Sequence, residues 1–152
     1  MRAFVRLMAL VVPALFVGAT FASDLSPAGR WLTIDDKTGT PRSVIEIADV
    51  AGTLQGKVVK IYDRPGDNPG HLCRKCDGAL KDKPVIGMML IQGLKRDGDS
   101  WDGGTILDPD TGNTYSAEMH LLDDGQKLEV RGYFGISLLG RSQTWIRQTA
   151  SN

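Results

Sequence analysis

Apolar and polar residues alternate with a period of two along much of this chain, and clusters of turn residues interrupt the alternation at short intervals. Tyr115, Ala117, Met119 and Leu121 share one face, while Ser116, Glu118 and His120 share the other. The next segment repeats the pattern, with Leu128, Val130, Gly132 and Phe134 set against Glu129, Arg131 and Tyr133. Successive side chains of an extended chain point to opposite sides, so each pattern predicts an antiparallel strand with one buried and one wet face. Reading outward from the turns gives eight strands, over 29–35, 43–50, 53–62, 85–93, 101–107, 113–122, 127–134 and 140–148. The run 85–91 is apolar on both faces, which predicts cover from a loop or a partner. The expected inner face carries Met88 or Met89, Met119, Leu121, Leu128, Val130, Phe134 and Ile146.

The turns have a consistent chemistry. Asp35–Gly39, Asp97–Asp99, Asp108–Gly112 and Asp123–Gly125 place Asp early, and three of them end on Gly. Asp caps its own turn and Gly supplies the positive φ that short hairpins need. Gly56, Gly87 and Gly132 fall inside predicted strands, where glycine marks a bulge or bend that helps a sheet close. One connection is long, over 63–84, and it contains His71 and both cysteines. A connection of that length in a compact domain is expected to be functional or cross-linked.

Composition adds an address and removes some functions. Arg2 and Arg6 precede an apolar run, Leu7–Val17, broken by Pro13, and Thr20-Phe21-Ala22 supplies small residues for a cut after Ala22. This reads as a secretory signal peptide over 1–22; a membrane span needs about 20 apolar residues. The remaining 23–152 is long enough for a single domain. Eighteen basic residues face eighteen acidic ones, and loss of Arg2 and Arg6 leaves 16 against 18, a net charge near −2. Without a concentrated basic patch, neither nucleic acid nor an anionic membrane is an expected partner. No later run is long and apolar enough to span a bilayer.

Trp31-Leu32-Thr33-Ile34-Asp35-Asp36, Cys73-x-x-Cys76, Lys81–Gly87, and Gly104-x-Ile106-Leu107-Asp108-Pro109 occur in order. Tyr115, Val130–Tyr133, and Gly140-Arg141 through Trp145-x-Arg147 follow. Together, over about 26–148, they resemble the exported bacterial family catalogued as domain of unknown function 2147. The resemblance implies a periplasmic or secreted single domain, an antiparallel up-and-down β-barrel of about eight strands like that of the lipocalins, and it implies no reaction. Gly29-x-Trp31 on the first strand and Arg147 on the last resemble the closure of such barrels, where the Trp plugs one end and the Arg lies across it. No amphipathic helix pattern follows the last strand, so the flanking helix of ordinary lipocalins is not expected.

Candidate chemistry is sparse. In an oxidising compartment Cys73 and Cys76 are expected to pair. A redox role is the alternative, since Arg74 and Lys75 would favour a thiolate, but no helix or βαβ pattern surrounds the motif. His71, Cys73 and Cys76 are a second alternative, as three soft ligands for a metal; His120 lies on a distant strand. The acidic pairs Asp35-Asp36 and Asp123-Asp124 sit in turns, where capping accounts for them without catalysis. There is no Gly-x-Ser-x-Gly, no triad partner for either histidine and no phosphate loop. The chain therefore reads as a non-enzyme with no cofactor that binds a small apolar or amphiphilic molecule. Met88, Met119, Leu121, Val130 and Phe134 are candidate ligand-lining residues, and Arg131 and Arg141 candidate rim cations. A filled barrel serving as an envelope interaction protein is the alternative.

Overall fold

The computed structural model describes residues 25–149; the leader expected over 1–22 lies outside them. Eight antiparallel strands close on themselves in sequence order. They are β1 (Gly29–Ile34), β2 (Pro41–Val50), β3 (Thr53–Ile61), β4 (Met89–Asp97), β5 (Ser100–Asp108), β6 (Asn113–Leu122), β7 (Lys127–Tyr133) and β8 (Arg141–Gln148). Closure is made where Arg30, Trp31 and Leu32 pair with Gln148, Arg147 and Ile146. Residues directly opposite share a face, so the registers trace the lining around the barrel. Trp31 meets Ile45 and Ile45 meets Val58; Trp101 meets Met119, and Met119 meets Val130.

Seven strands fall close to their expected places, and β6 coincides with the predicted 113–122. The fourth begins four residues later than expected. Val85 and Met88 are buried, but they belong to an irregular turn in which Gly87 donates to the Val58 carbonyl and Val58 donates to that of Met88. The strand also runs on past Gly93, where the predicted strand ends. There the two backbones come together: a Cβ on the partner Gly104 would lie 2.5 Å from the Gln92 oxygen and the Leu94 nitrogen.

Two inner-face expectations are corrected. Ile146 is exposed, and Trp145 fills the interior instead, 3% accessible. Arg147 points inward to Trp31, so period two places Trp145 inside with it and Ile146 outside. Phe134 lies beyond the end of β7 and is 60% exposed, with its ring 4.5 Å from that of Tyr115.

The interior is packed. Trp31, Leu54, Ile91, Leu94, Met119 and Leu128 are all essentially inaccessible. Leu90 and Leu107, of opposite parity to the inner Ile91 and Ile106, are also buried. They belong to the same buried apolar cluster as Cys73, Cys76 and Val85 of the long connection.

Candidate functional site

The two ends of the barrel are built differently. At one end Trp31 is fully buried and its indole N–H donates to the Pro27 carbonyl at 2.7 Å. The Arg147 guanidinium stacks on that indole, 4.2 Å from its centroid. It donates to the carbonyls of Gly125, Ala28 and Ser26, tying the entering chain to the turn between β6 and β7. Burial lowers the Arg147 pKa from its ordinary value. Gly29 completes the seal: it sits at φ +132, and a Cβ there would come within 2.9 Å of the guanidinium.

The other end carries the long connection between β3 and β4. Its two halves are stitched by a Leu72–Pro84 bridge and by Cys73 donating to Lys83 and Asp82 donating to Cys73. Asn68 pins the near half, accepting from the Leu72 amide at 2.7 Å and donating to the Leu72 carbonyl at 3.1 Å. Cys73 and Cys76 form the expected disulfide, and both residues are 0–1% accessible. A sulfur pair so enclosed is a structural tie, since exchange requires an attacking thiolate to reach it. The connection rests on the β5–β6 turn, where a Cβ on Gly112 would come within 2.0 Å of the Lys75 carbonyl oxygen.

Five charged groups from four segments meet here. Arg64 pairs with Asp35 at 2.5 Å and Asp67 at 3.2 Å, Arg42 pairs with Asp67 at 3.0 Å, and both reach Asp110 at 3.5 Å. The Arg64 guanidinium, helped by the Lys37 and Thr38 amides, holds the Asp35 pKa down to about 2. Burial pushes Asp67 up, but the Arg64 amide and the charges of Arg42 and Arg64 outweigh it, and its pKa is lowered. Asp35 does cap its turn as its position suggests, accepting from Lys37 and Thr38, and it carries the ion pair as well.

Beside this network lies a cavity of about 190 Å³. Ile61, Leu72, Val85 and Pro109 form its apolar wall, and Arg42, Asp67, His71, Arg74, Lys75 and Asp110 bring charge to it. A second cavity of about 310 Å³ lies at the sealed end, walled by Leu25, Ser26, Asp49, Gly52, Leu54, Arg96 and Trp101.

The structure separates the candidate residues of the sequence. Met119 and Val130 line the interior and are buried; Met88 is buried in the turn before β4, and Leu121 is half-buried against the core. Phe134 stands outside. Arg141 reaches the open end, where it pairs with Asp36. Arg131 lies on the outer face and donates to the Ser137 and Leu138 carbonyls, so it braces a loop. The disulfide removes both thiolates from the set His71, Cys73 and Cys76. His71 lies instead with Asp63 and Asp67, their ligand atoms within 4.8 Å of one another. Its Nε2 is 2.6 Å from Asp63, and the same Asp67 oxygen that lies 3.9 Å from Nδ1 accepts from Arg42. Within that trio the Asp67 carboxylate is already engaged by the Arg42 and Arg64 guanidinium groups.

An eight-stranded lipocalin-like barrel, sealed at one end and charged at the other, is the class that this geometry defines. The chain belongs to the family described as uncharacterised protein conserved in bacteria (DUF2147), which matches residues 29–147. It is also similar to a solved structure, protein HP1028 from the human pathogen Helicobacter pylori, described as belonging to the lipocalin family. The two share 18% identity and a TM-score of 0.70, over 84% of this chain and 86% of that one. At that identity the likeness concerns the fold. Among curated proteins, none matches the chain.

Proposed function

We propose that this is a non-enzymatic binding protein of the cell envelope, which holds a small amphiphilic molecule at the open end of its barrel. The chemistry of the open end carries the reading: the larger cavity, of about 310 Å³, lies at the end that Trp31 and Arg147 plug, whereas the 190 Å³ cavity at the open end sets an apolar wall beside converging charges. The cavity is smaller than the ~300–1,000 Å³ of drug-sized sites, which suits a short molecule or one end of a longer one. Ile61, Leu72 and Val85 would face its hydrocarbon, and the exposed Arg74 and Lys75 an anionic group. The leader-like start and the disulfide support export to an oxidising compartment.

The test is organic extraction and mass spectrometry of protein purified from the envelope fraction, with thermal denaturation in the presence of octanoate. A co-purifying amphiphile is expected, together with a raised melting temperature that Leu72→Trp, filling the apolar wall, abolishes. The isolated protein should begin at Ser23. Repeated blanks with no thermal shift would overturn the ligand reading. They would favour an envelope interaction protein, a second reading that rests on the tightly filled interior around Leu54, Ile91 and Met119.

A further inference from the structure

Two guanidinium groups at the open end hold their carboxylates unequally. Arg64 donates through Nη1 to Asp35 at 2.5 Å and through Nη2 to Asp67 at 3.2 Å, while Arg42 donates through Nη1 to Asp67 at 3.0 Å. Asp35 and Asp67 are largely enclosed, with 12% and 14% of the side chain accessible. Asp110 differs in both respects. Its Oδ1 lies 3.5 Å from the Arg42 Nη2, its Oδ2 lies 3.5 Å from the Arg64 Nη2, and its side chain is 62% accessible. Charge-assisted hydrogen bonds are shorter, about 2.7–2.9 Å, and exposed pairs add little stability. The Asp110 amide donates to Asp108 at 2.9 Å, so the backbone holds this turn without help from the Asp110 carboxylate.

We infer that the open-end cavity takes an amphiphilic carboxylic acid as its anion, whose carboxylate replaces that of Asp110 on Arg42 and Arg64. The inference rests on the binding reading above and adds to it the head group and the residue that competes with that group. The place is already shaped for a carboxylate, because that of Asp110 spans the two guanidinium arms with one oxygen on each. Arg42 and Asp110 both line the cavity, beside the apolar wall of Ile61, Leu72, Val85 and Pro109. A ligand anchored on Arg42 lays its tail along that wall and removes apolar surface from water. Asp110 brings no such tail, and when displaced it returns to the solvent that already covers most of it.

Charge selects the acid among head groups. Arg42, Arg74 and Lys75 bring three positive charges to the cavity, and Asp67, one of its two carboxylates, is held by both guanidinium groups. An ammonium group drawn to Asp110 would meet the Arg42 guanidinium 3.5 Å from that carboxylate, and repulsion would offset the attraction. A neutral head would leave Asp110 in place and take nothing from either guanidinium. The exposed Arg74 and Lys75 favour the approach of an anion, since rim charges act on encounter more than on final affinity. Once displaced, Asp110 keeps its negative charge close by and opposes the ligand. It thereby sets how tightly the site holds an acid.

Calorimetric titration of the full protein with octanoate and with 1-octanol tests the inference. Asp110→Asn keeps the size of the side chain and removes its charge. It should bind octanoate roughly two- to fivefold more tightly than the parent, with 1-octanol unchanged. Asp63→Asn removes an equal charge beside His71, from a side chain that is 89% accessible, and should leave octanoate binding as it is. Arg42→Lys keeps the positive charge but loses the second arm; it should weaken octanoate roughly tenfold and leave 1-octanol alone. Its melting temperature checks the fold, and Asp110→Asn decides the matter if Arg42→Lys does not fold. Octanoate that binds the parent and Asp110→Asn equally, or that Asp63→Asn tightens as much, would overturn the inference and leave the binding reading standing. An equal gain for 1-octanol would do the same. If neither compound binds the parent or Asp110→Asn, the inference and the reading beneath it fall together.

Discussion

Arg147 acts on both halves of the seal, stacking on Trp31 while its N–H groups hold three carbonyls from two separate segments. Lysine at 147 would keep the charge but not the planar fork that reaches all three. Arg147→Lys is expected to cost about 1–3 kcal/mol by leaving carbonyls unpaired, and Trp31→Ala about 3–5 kcal/mol through the cavity it opens. Urea denaturation measures both, and neither substitution should change what the opposite end binds. Gly29→Ala should act through the same contact, since the methyl group meets the guanidinium at a φ that disfavours a side chain. The sequence motif thus has a physical reason at each of its positions. That logic also corrects Ile146: once Arg147 is known to point inward, alternation alone fixes its neighbour outside.

The long connection shows how an element can be legible in burial and misleading in geometry. Val85 and Met88 look like the start of a strand because their side chains are indeed buried, yet Gly87, at φ +86, turns the backbone there. Strand β6 was readable to the residue because its alternation is unbroken and Asp108–Gly112 stops it cleanly. At that turn Asp108 accepts from the Asp110 amide, from the Thr111 hydroxyl and, through its carbonyl, from Gly112. The open-end site was not readable. Asp35, Arg42, the local pair Arg64–Asp67 and Asp110 lie on four separate segments, and the fold of the barrel and its long connection brings them together. The disulfide was expected from compartment and spacing, and its value is local. Closing so short a loop removes little chain entropy, about 2 kcal/mol, so Cys73→Ser/Cys76→Ser should leave the barrel folded with a modest fall in denaturation midpoint. Limited proteolysis should then cut first within residues 73–83, where the stitching between the two halves has lost its tie.

At the scale of the molecule, the two ends respond to different variables. The sealed end is held by an indole, a guanidinium and backbone carbonyls, and among the described residues no carboxylate takes part in that seal. The open end is held by carboxylates that join the β1–β2 turn, the start of β2, the long connection and the β5–β6 turn. Asp35 has a folded pKa of about 2, below the ~3.9 of an unfolded aspartate, and Asp67 is lowered as well. The unfolded chain therefore takes up these protons first. The stabilisation is complete above about pH 4 and is lost as pH falls from there towards 2. Acid should loosen the open end while the seal persists, so hydrogen exchange between pH 4 and 2 should accelerate around Arg64–His71 before it does around Trp31 and Arg147. Asp35→Asn should lower stability at pH 7 and flatten its dependence between pH 4 and 2, because the variant has no proton to bind at that position. Equal acid sensitivity at both ends, or an unchanged profile in Asp35→Asn, would show that the network does not hold the connection in place.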